Sequence, residues 1–150
     1  MYRQSSFLLL VLISSTSAQL LDSIINIFGE SHDQAIHVVG KLNCNGQPLE
    51  KAKIKLYEDE VVLDVLLMEQ YTNASGTVDV FGSKAEKGWI EPKVNIYHKC
   101  EYDGDCYRKI SIAVPSEYIE LGKVALTKVF DFGDMNVAAK YKGESVDCFN

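Results

Sequence analysis

The 150-residue chain has little of what many functional classes require. Lys and Arg number 15 against 21 Asp and Glu, for a formal charge of −6. The basic surface that a phosphate backbone demands is therefore missing, and nucleic acid is excluded as a partner. Only three histidines and one tryptophan occur. No nucleophile elbow and no phosphate-binding glycine loop is present, so neither a Ser-His-Asp triad nor a nucleotide cofactor is expected. The apolar run Phe7–Ile13 falls far short of the ~20 residues of a membrane span, and no later run is longer. Internal repeats, low-complexity tracts and domain linkers are also absent.

What is there begins with MYRQSSFLLLVLISSTSA. Arg3 precedes the apolar run, and Thr16-Ser17-Ala18 fits a small-residue cleavage site. Residues 1–18 thus read as a secretory signal peptide, which makes the protein secreted and extracellular. Cleavage after Ala18 removes Arg3 and takes the formal charge from −6 to −7. Residues 19–35 form a leader in which Leu21, Ile24, Ile25 and Phe28 fall at helical spacing. They suit a short amphipathic helix or a flexible segment.

Secretion decides how Cys44, Cys100, Cys106 and Cys148 are read. An even number in a small secreted chain indicates disulfides. Three pairings are open. Cys100 and Cys106 flank the turn signal Asp103-Gly104, which favours a local Cys100–Cys106 loop and leaves Cys44–Cys148 to tie the tail to an early strand. Zinc at His98 and the two nearby cysteines is disfavoured, since structural sites want four ligands and tighter cysteine pairs. No metal or other cofactor is expected.

From residue 36 the hydrophobic period is two. Ile36, Val38, Gly40 and Leu42 share one face of a first strand, and Asn45-Gly46 marks a tight turn. In KAKIKLYE, Ala52, Ile54 and Leu56 point inward and Lys51, Lys53 and Lys55 outward. This basic stripe is a solvated face that guards against edge pairing. Residues 59–64 form a loop, and strands follow in VLLMEQYT, TVDVF, KVNIYHK and KISIAV. A short helical turn is predicted near 115–119, capped by Ser116, with last strands at 124–130 and 134–141. The domain of residues 36–150 is accordingly all-β, an antiparallel sandwich of about 7–8 strands with one short helix.

Two surface features could carry function. In YHKCEYDGDCYRK, the residues Tyr97, His98, Lys99, Tyr102, Tyr107, Arg108 and Lys109 gather cations and tyrosines on one constrained loop. They are candidates for contact with a protein or an anionic lipid headgroup, unless Glu101, Asp103 and Asp105 neutralise them. Asn73-Ala74-Ser75 is the one glycosylation sequon, which makes Asn73 a candidate glycan acceptor.

The landmarks GKLNCNGQPLEKAKIKLYE, YTNASGTVDVFG, EPKVNIYHKC with CYRK, VPSEYI, FDFGDMN and GESVDCFN occur in this order. Together they closely resemble the nematode transthyretin-like family, across residues 36–150. The resemblance implies a transthyretin-type sandwich and a secreted protein without known chemistry. The hydrolase of this fold, hydroxyisourate hydrolase, needs a histidine in its first strand, an arginine after the TNASG-type turn, a histidine in its last strand and a Tyr-Arg-Gly-Ser end. Here Val39 stands at the first place, two residues from His37, and Thr77 at the second. The strand DMNVAAKYK lacks histidine, and Lys142-Gly143-Glu144-Ser145 lies well before the end. General base and electrostatic stabiliser are both missing, so no enzyme activity is expected. The expectation is a secreted, non-catalytic binding or signalling module acting by surface recognition. The alternative is a carrier of a small apolar ligand, in a pocket or at a homodimer interface.

Overall fold

The computed structural model of the protein describes residues 29–125 and 127–150. The expected signal peptide and most of the expected leader lie outside the described residues. Residues 32–150 form one compact unit.

Ten strands build two sheets: β1 His32–Cys44, β2 Gln47–Pro48, β3 Lys53–Glu58, β4 Val65–Tyr71, β5 Thr77–Glu86, β6 Pro92–His98, β7 Tyr107–Ala113, β8 Glu120–Leu121, β9 Phe130–Asn136 and β10 Ser145–Asp147. In the first sheet, β5 runs antiparallel to β1 from His32↔Glu86 to Lys41↔Thr77. β9 pairs with β1 in parallel over Val38–Asn43. Because Val38, Val39 and Lys41 pair with both, β5 and β9 lie on opposite edges of β1. The second sheet runs β10-β7-β6-β3-β4, antiparallel throughout.

The period-two pattern acts as predicted. Ile36, Val38 and Leu42 of β1, Val78 and Val80 of β5, Ile54 and Leu56 of β3, and Val94 and Ile96 of β6 are all buried in one core cluster. Each such side chain contributes roughly 1.5–3 kcal/mol on burial. Gly40 continues the inward face of β1 where a side chain has no room, because a Cβ there would stand 2.3 Å from the Phe132 ring. Asn45 and Gly46 both take positive φ, 51° and 84°, as the tight turn requires.

Four expectations need correction. The domain starts at His32 rather than residue 36, since β5 continues to Glu86 and carries β1 with it. The strands expected at 124–130 and 134–141 lie instead at Phe130–Asn136 and Ser145–Asp147. β9 is fixed by its register on β1, whereas Val137 is drawn into the core just past the strand end. The short helical turn is present where expected, as a 3₁₀ turn over Ser116–Tyr118, but its cap is Pro115, without a side-chain bond, and not Ser116. Finally, the sheets are not wholly antiparallel, because β9 joins β1 in parallel.

Candidate functional site

The disulfides are Cys44–Cys100 and Cys106–Cys148, so the expected Cys100–Cys106 loop and Cys44–Cys148 tie do not form. Sheet register explains the difference. Tyr107 pairs with Asp147, which sets Cys106 directly opposite Cys148 one step beyond the ladder. Cys100 is buried in the core, where it meets Cys44 at the end of β1 and joins the two sheets. A second contact reinforces that join: Asn45 Nδ2 donates to Glu101 Oε1 at 2.6 Å. The sequence separations of 56 and 42 residues are each worth about 4 kcal/mol in the chain-entropy account.

The same frame takes in much of the predicted recognition cluster. Arg108 is buried and paired with Glu144 in a two-point contact, Nε to Oε1 at 2.6 Å and Nη2 to Oε2 at 3.0 Å. Its remaining donors reach the carbonyls of Cys100 and Ala139, both at 2.9 Å. The Arg108 guanidinium holds the Glu144 carboxyl below its ordinary range. Neutralisation by Glu101, Asp103 or Asp105 is therefore not what balances Arg108.

His98 sits opposite Arg108 across β6 and β7, 1% exposed, in the wall of a cleft it shares with Lys99 and Tyr107. Neither ring nitrogen has a hydrogen-bond partner among the described residues. Burial, with the Arg108 charge beside it, pushes its pKa down to about 4, so the ring is neutral. Tyr97 is buried on the outer side of the second sheet beneath Lys55, and burial pushes its hydroxyl up to about 12.

The cations left outside are occupied too. Lys99 donates to the carbonyls of Gly104 and Asp105 at 2.6 and 3.0 Å, with its ammonium 5.0 Å from the Tyr107 ring centre and 6.0 Å from that of Tyr102. Lys109 faces Asp147 at 3.5 Å. Thus the loop closes on itself. Tyr102 and Tyr107 are half-buried, and Lys51, Lys99 and Tyr107 line a cleft of about 390 Å³ beside His98. In the lysine stripe, Lys53 and Lys55 are half-buried rather than freely solvated, Lys55 meeting Glu69 and Lys53 meeting Asn150.

Asn73 is exposed in its turn, where its Oδ1 accepts from the backbone amides of Ser75 and Thr77, both at 3.0 Å. Its side-chain nitrogen has no partner among the described residues.

The opposite end of the domain differs in kind. There the connections 59–64, 87–91 and 114–119 meet. Asp59 N–H donates to the Glu91 carbonyl at 2.9 Å, and the Gln34 side chain ties Gly88 and Ile90 to β1. Trp89 shares a cleft of about 210 Å³ with Ser116 and Glu117. β8 pairs with Gln34 and Ala35 beside them. On this end Val61, Val62 and Leu63 are 104, 95 and 79% exposed, Trp89 63% and Leu121 68%.

The 59–64 loop is held at its base. Lys84 bridges Glu58, Glu60 and Glu86, with Glu58 Oε2 at 3.5 Å and Glu86 Oε2 at 3.1 Å. Lys93 bridges Asp59 at 2.9 Å and Asp64 at 2.7 Å. Glu58 is buried, which raises its pKa against the pull of Lys84. The three glutamates stand within metal-ligating distance of one another, but the Lys84 ammonium supplies the positive charge among them. Sequence reasoning saw only a loop in DEVVLD. The signal was an apolar triplet bracketed by acids, where turn residues are the norm.

Fold and site together define a disulfide-braced β-sandwich with an apolar end and no helix, among the described residues, long and apolar enough to cross a membrane. The model of the transthyretin-like family matches residues 39–115. The chain is 38% identical to transthyretin-like protein 5 of Caenorhabditis elegans over 121 residues, 78% of this chain and 86% of that one. Transthyretin-like proteins 33 and 46 of the same organism are 36 and 35% identical, over 78 and 83% of this chain and 83 and 72% of theirs. The chain belongs to the transthyretin-like family.

Proposed function

We propose that this chain is a secreted, non-catalytic binding module that recognises a protein partner through the end formed by the 59–64, 87–91 and 114–119 connections. The observation that carries this reading is the exposure of Val61, Val62, Leu63 and Trp89 on neighbouring connections. Contiguous exposed apolar side chains on a soluble domain mark an interaction surface. Two disulfides suit the oxidising space outside the cell. A non-catalytic role is supported by His98, which is buried and neutral.

A carrier of a small apolar ligand has less support. The groove along β1, about 290 Å³, mixes Val39, Gly40 and Val78 with Lys41, Asp79, Asp131 and Asp134, so an apolar guest would take water from charged groups at its walls.

Labelled protein applied to cells tests the reading. Saturable surface binding should survive Tyr107→Ala and disappear in the double variant Val62→Asp, Leu63→Asp. Equal binding by the double variant contradicts it. Asn73 is the proposed glycan acceptor, and secreted protein should lose mass on enzymatic deglycosylation and Ser75→Ala should remove that change. An unchanged mass refutes the assignment.

A further inference from the structure

The chemistry of the partner can be narrowed from the charges around the apolar end, and this step rests on the reading just given. Lys84 faces three carboxylates and Lys93 two. Each lysine supplies one positive charge, so both clusters remain net negative. Glu91 and Glu117 are exposed next to them, Glu117 in the wall of the Trp89 cleft and Glu91 through its backbone contact with Asp59. Lys87 is the exposed cation nearest to Trp89 in sequence, and Lys123 lies 3.9 Å from Asp33. The apolar centre therefore has an acidic rim.

Such a rim repels anionic lipid headgroups and acidic proteins and attracts cations. The lysine bridges also fix the base of the 59–64 loop, so presenting Val61, Val62 and Leu63 costs little further ordering on association. We infer that this end docks a basic amphipathic polypeptide segment, whose apolar side chains cover Val62, Leu63 and Trp89 while its Lys and Arg side chains meet Glu60, Glu91 and Glu117. The segment belongs to another protein, since a second copy of this chain would bring acid against acid.

Trp89 is the only tryptophan in the sequence and sits within the proposed footprint, so its emission reports occupancy directly. The probe is an amphipathic Leu/Lys model peptide, with a Leu/Glu peptide of the same pattern as its counterpart. The Leu/Lys peptide should shift the emission to the blue, and its affinity should fall as salt is raised, because screening shortens from about 8 Å at physiological salt to about 3 Å at 1 M. The Leu/Glu peptide should bind about tenfold or more weakly. Val62→Asp with Leu63→Asp should abolish the shift, and the milder Val62→Ser with Leu63→Ser should weaken it about tenfold. Glu91→Lys with Glu117→Lys should reverse the preference between the two peptides.

Equal response to both peptides overturns the inference. So does an emission shift with phosphatidylcholine vesicles instead of peptide, which assigns the end to a membrane surface. A shift with protein concentration alone also overturns it and assigns the end to self-association. Equal response to both peptides leaves recognition of a protein partner standing if the Val62→Asp, Leu63→Asp variant loses cell-surface binding, whereas the vesicle response overturns that reading too, so the two claims are distinguishable.

Discussion

The two ends of the domain use the same kinds of residue for opposite purposes. At one end Arg108, Glu144, His98 and four cysteines are drawn together and mostly hidden. At the other, Lys84 and Lys93 gather carboxylates around a loop whose apolar tip stays in water. Charge beside a constrained loop suggests a recognition surface when met in sequence. In the folded chain that charge is internal bracing, and the exposed apolar run Val61, Val62 and Leu63 lies at the far end. Local composition cannot separate bracing from display; the difference lies in whether long-range partners exist, here Glu144, Cys44 and Cys148.

Breaking the braced end should have the largest consequence. Replacing Cys44 and Cys100, or Cys106 and Cys148, by serine should cost about 4 kcal/mol of stability per bridge, read in denaturant unfolding. Nearly as large is Arg108→Ala, which leaves Glu144 without its guanidinium and the Cys100 and Ala139 carbonyls without donors. A loss of about 3 kcal/mol is expected. Arg108→Lys should recover only part of it, because an ammonium cannot span Glu144 and two carbonyls at once.

A smaller effect concerns pH. His98 has a pKa of about 4 when folded against an ordinary 6.5. The unfolded chain takes up the proton first, so His98 leaves stability untouched above about 6.5 and lowers it as pH falls from there towards 4. Glu144, held below its ordinary value by Arg108, supports the fold at neutral pH and withdraws that support in more acid solution. His98→Phe should therefore flatten the stability profile between about 4 and 6.5, and Glu144→Gln should leave that window sloping. An unchanged slope in His98→Phe would remove His98 as the cause. Least of all should change at the apolar end: Val62→Asp with Leu63→Asp is expected to alter stability by no more than about 0.5 kcal/mol, since both side chains stand in water.

Much of the fold was legible in sequence. Alternation placed Ile36, Val38, Ile54, Leu56, Val94 and Ile96 in the core, and Asn45-Gly46 announced its turn. The family landmarks pointed to the same architecture. The far ends of strands were less legible because pairing, not composition, extends them: His32–Ala35 pair with Ser83–Glu86, and Gln34 and Ala35 also with β8. The disulfide pairing was misread for the same reason. Asp103-Gly104 suggested a loop closed by its flanking cysteines, whereas register on β10 and the burial of Cys100 set the partners. A signal was present in the motifs CYR and GESVDC. These supply both sides of two contacts, Cys106 with Cys148 and Arg108 with Glu144. The apolar end escaped notice because a loop over residues 59–64 does not by itself say whether Val61, Val62 and Leu63 fold back on the domain or stand in solvent.

Peptide mapping of the unreduced protein by mass spectrometry tests the division between the ends most directly. Proteolysis between Cys100 and Cys106, at Glu101 or Asp105, should yield one fragment joining Cys44 to Cys100 and another joining Cys106 to Cys148. Recovery of Cys100 linked to Cys106, with Cys44 linked to Cys148, would contradict the braced end and return the 97–109 loop to consideration as a free recognition surface.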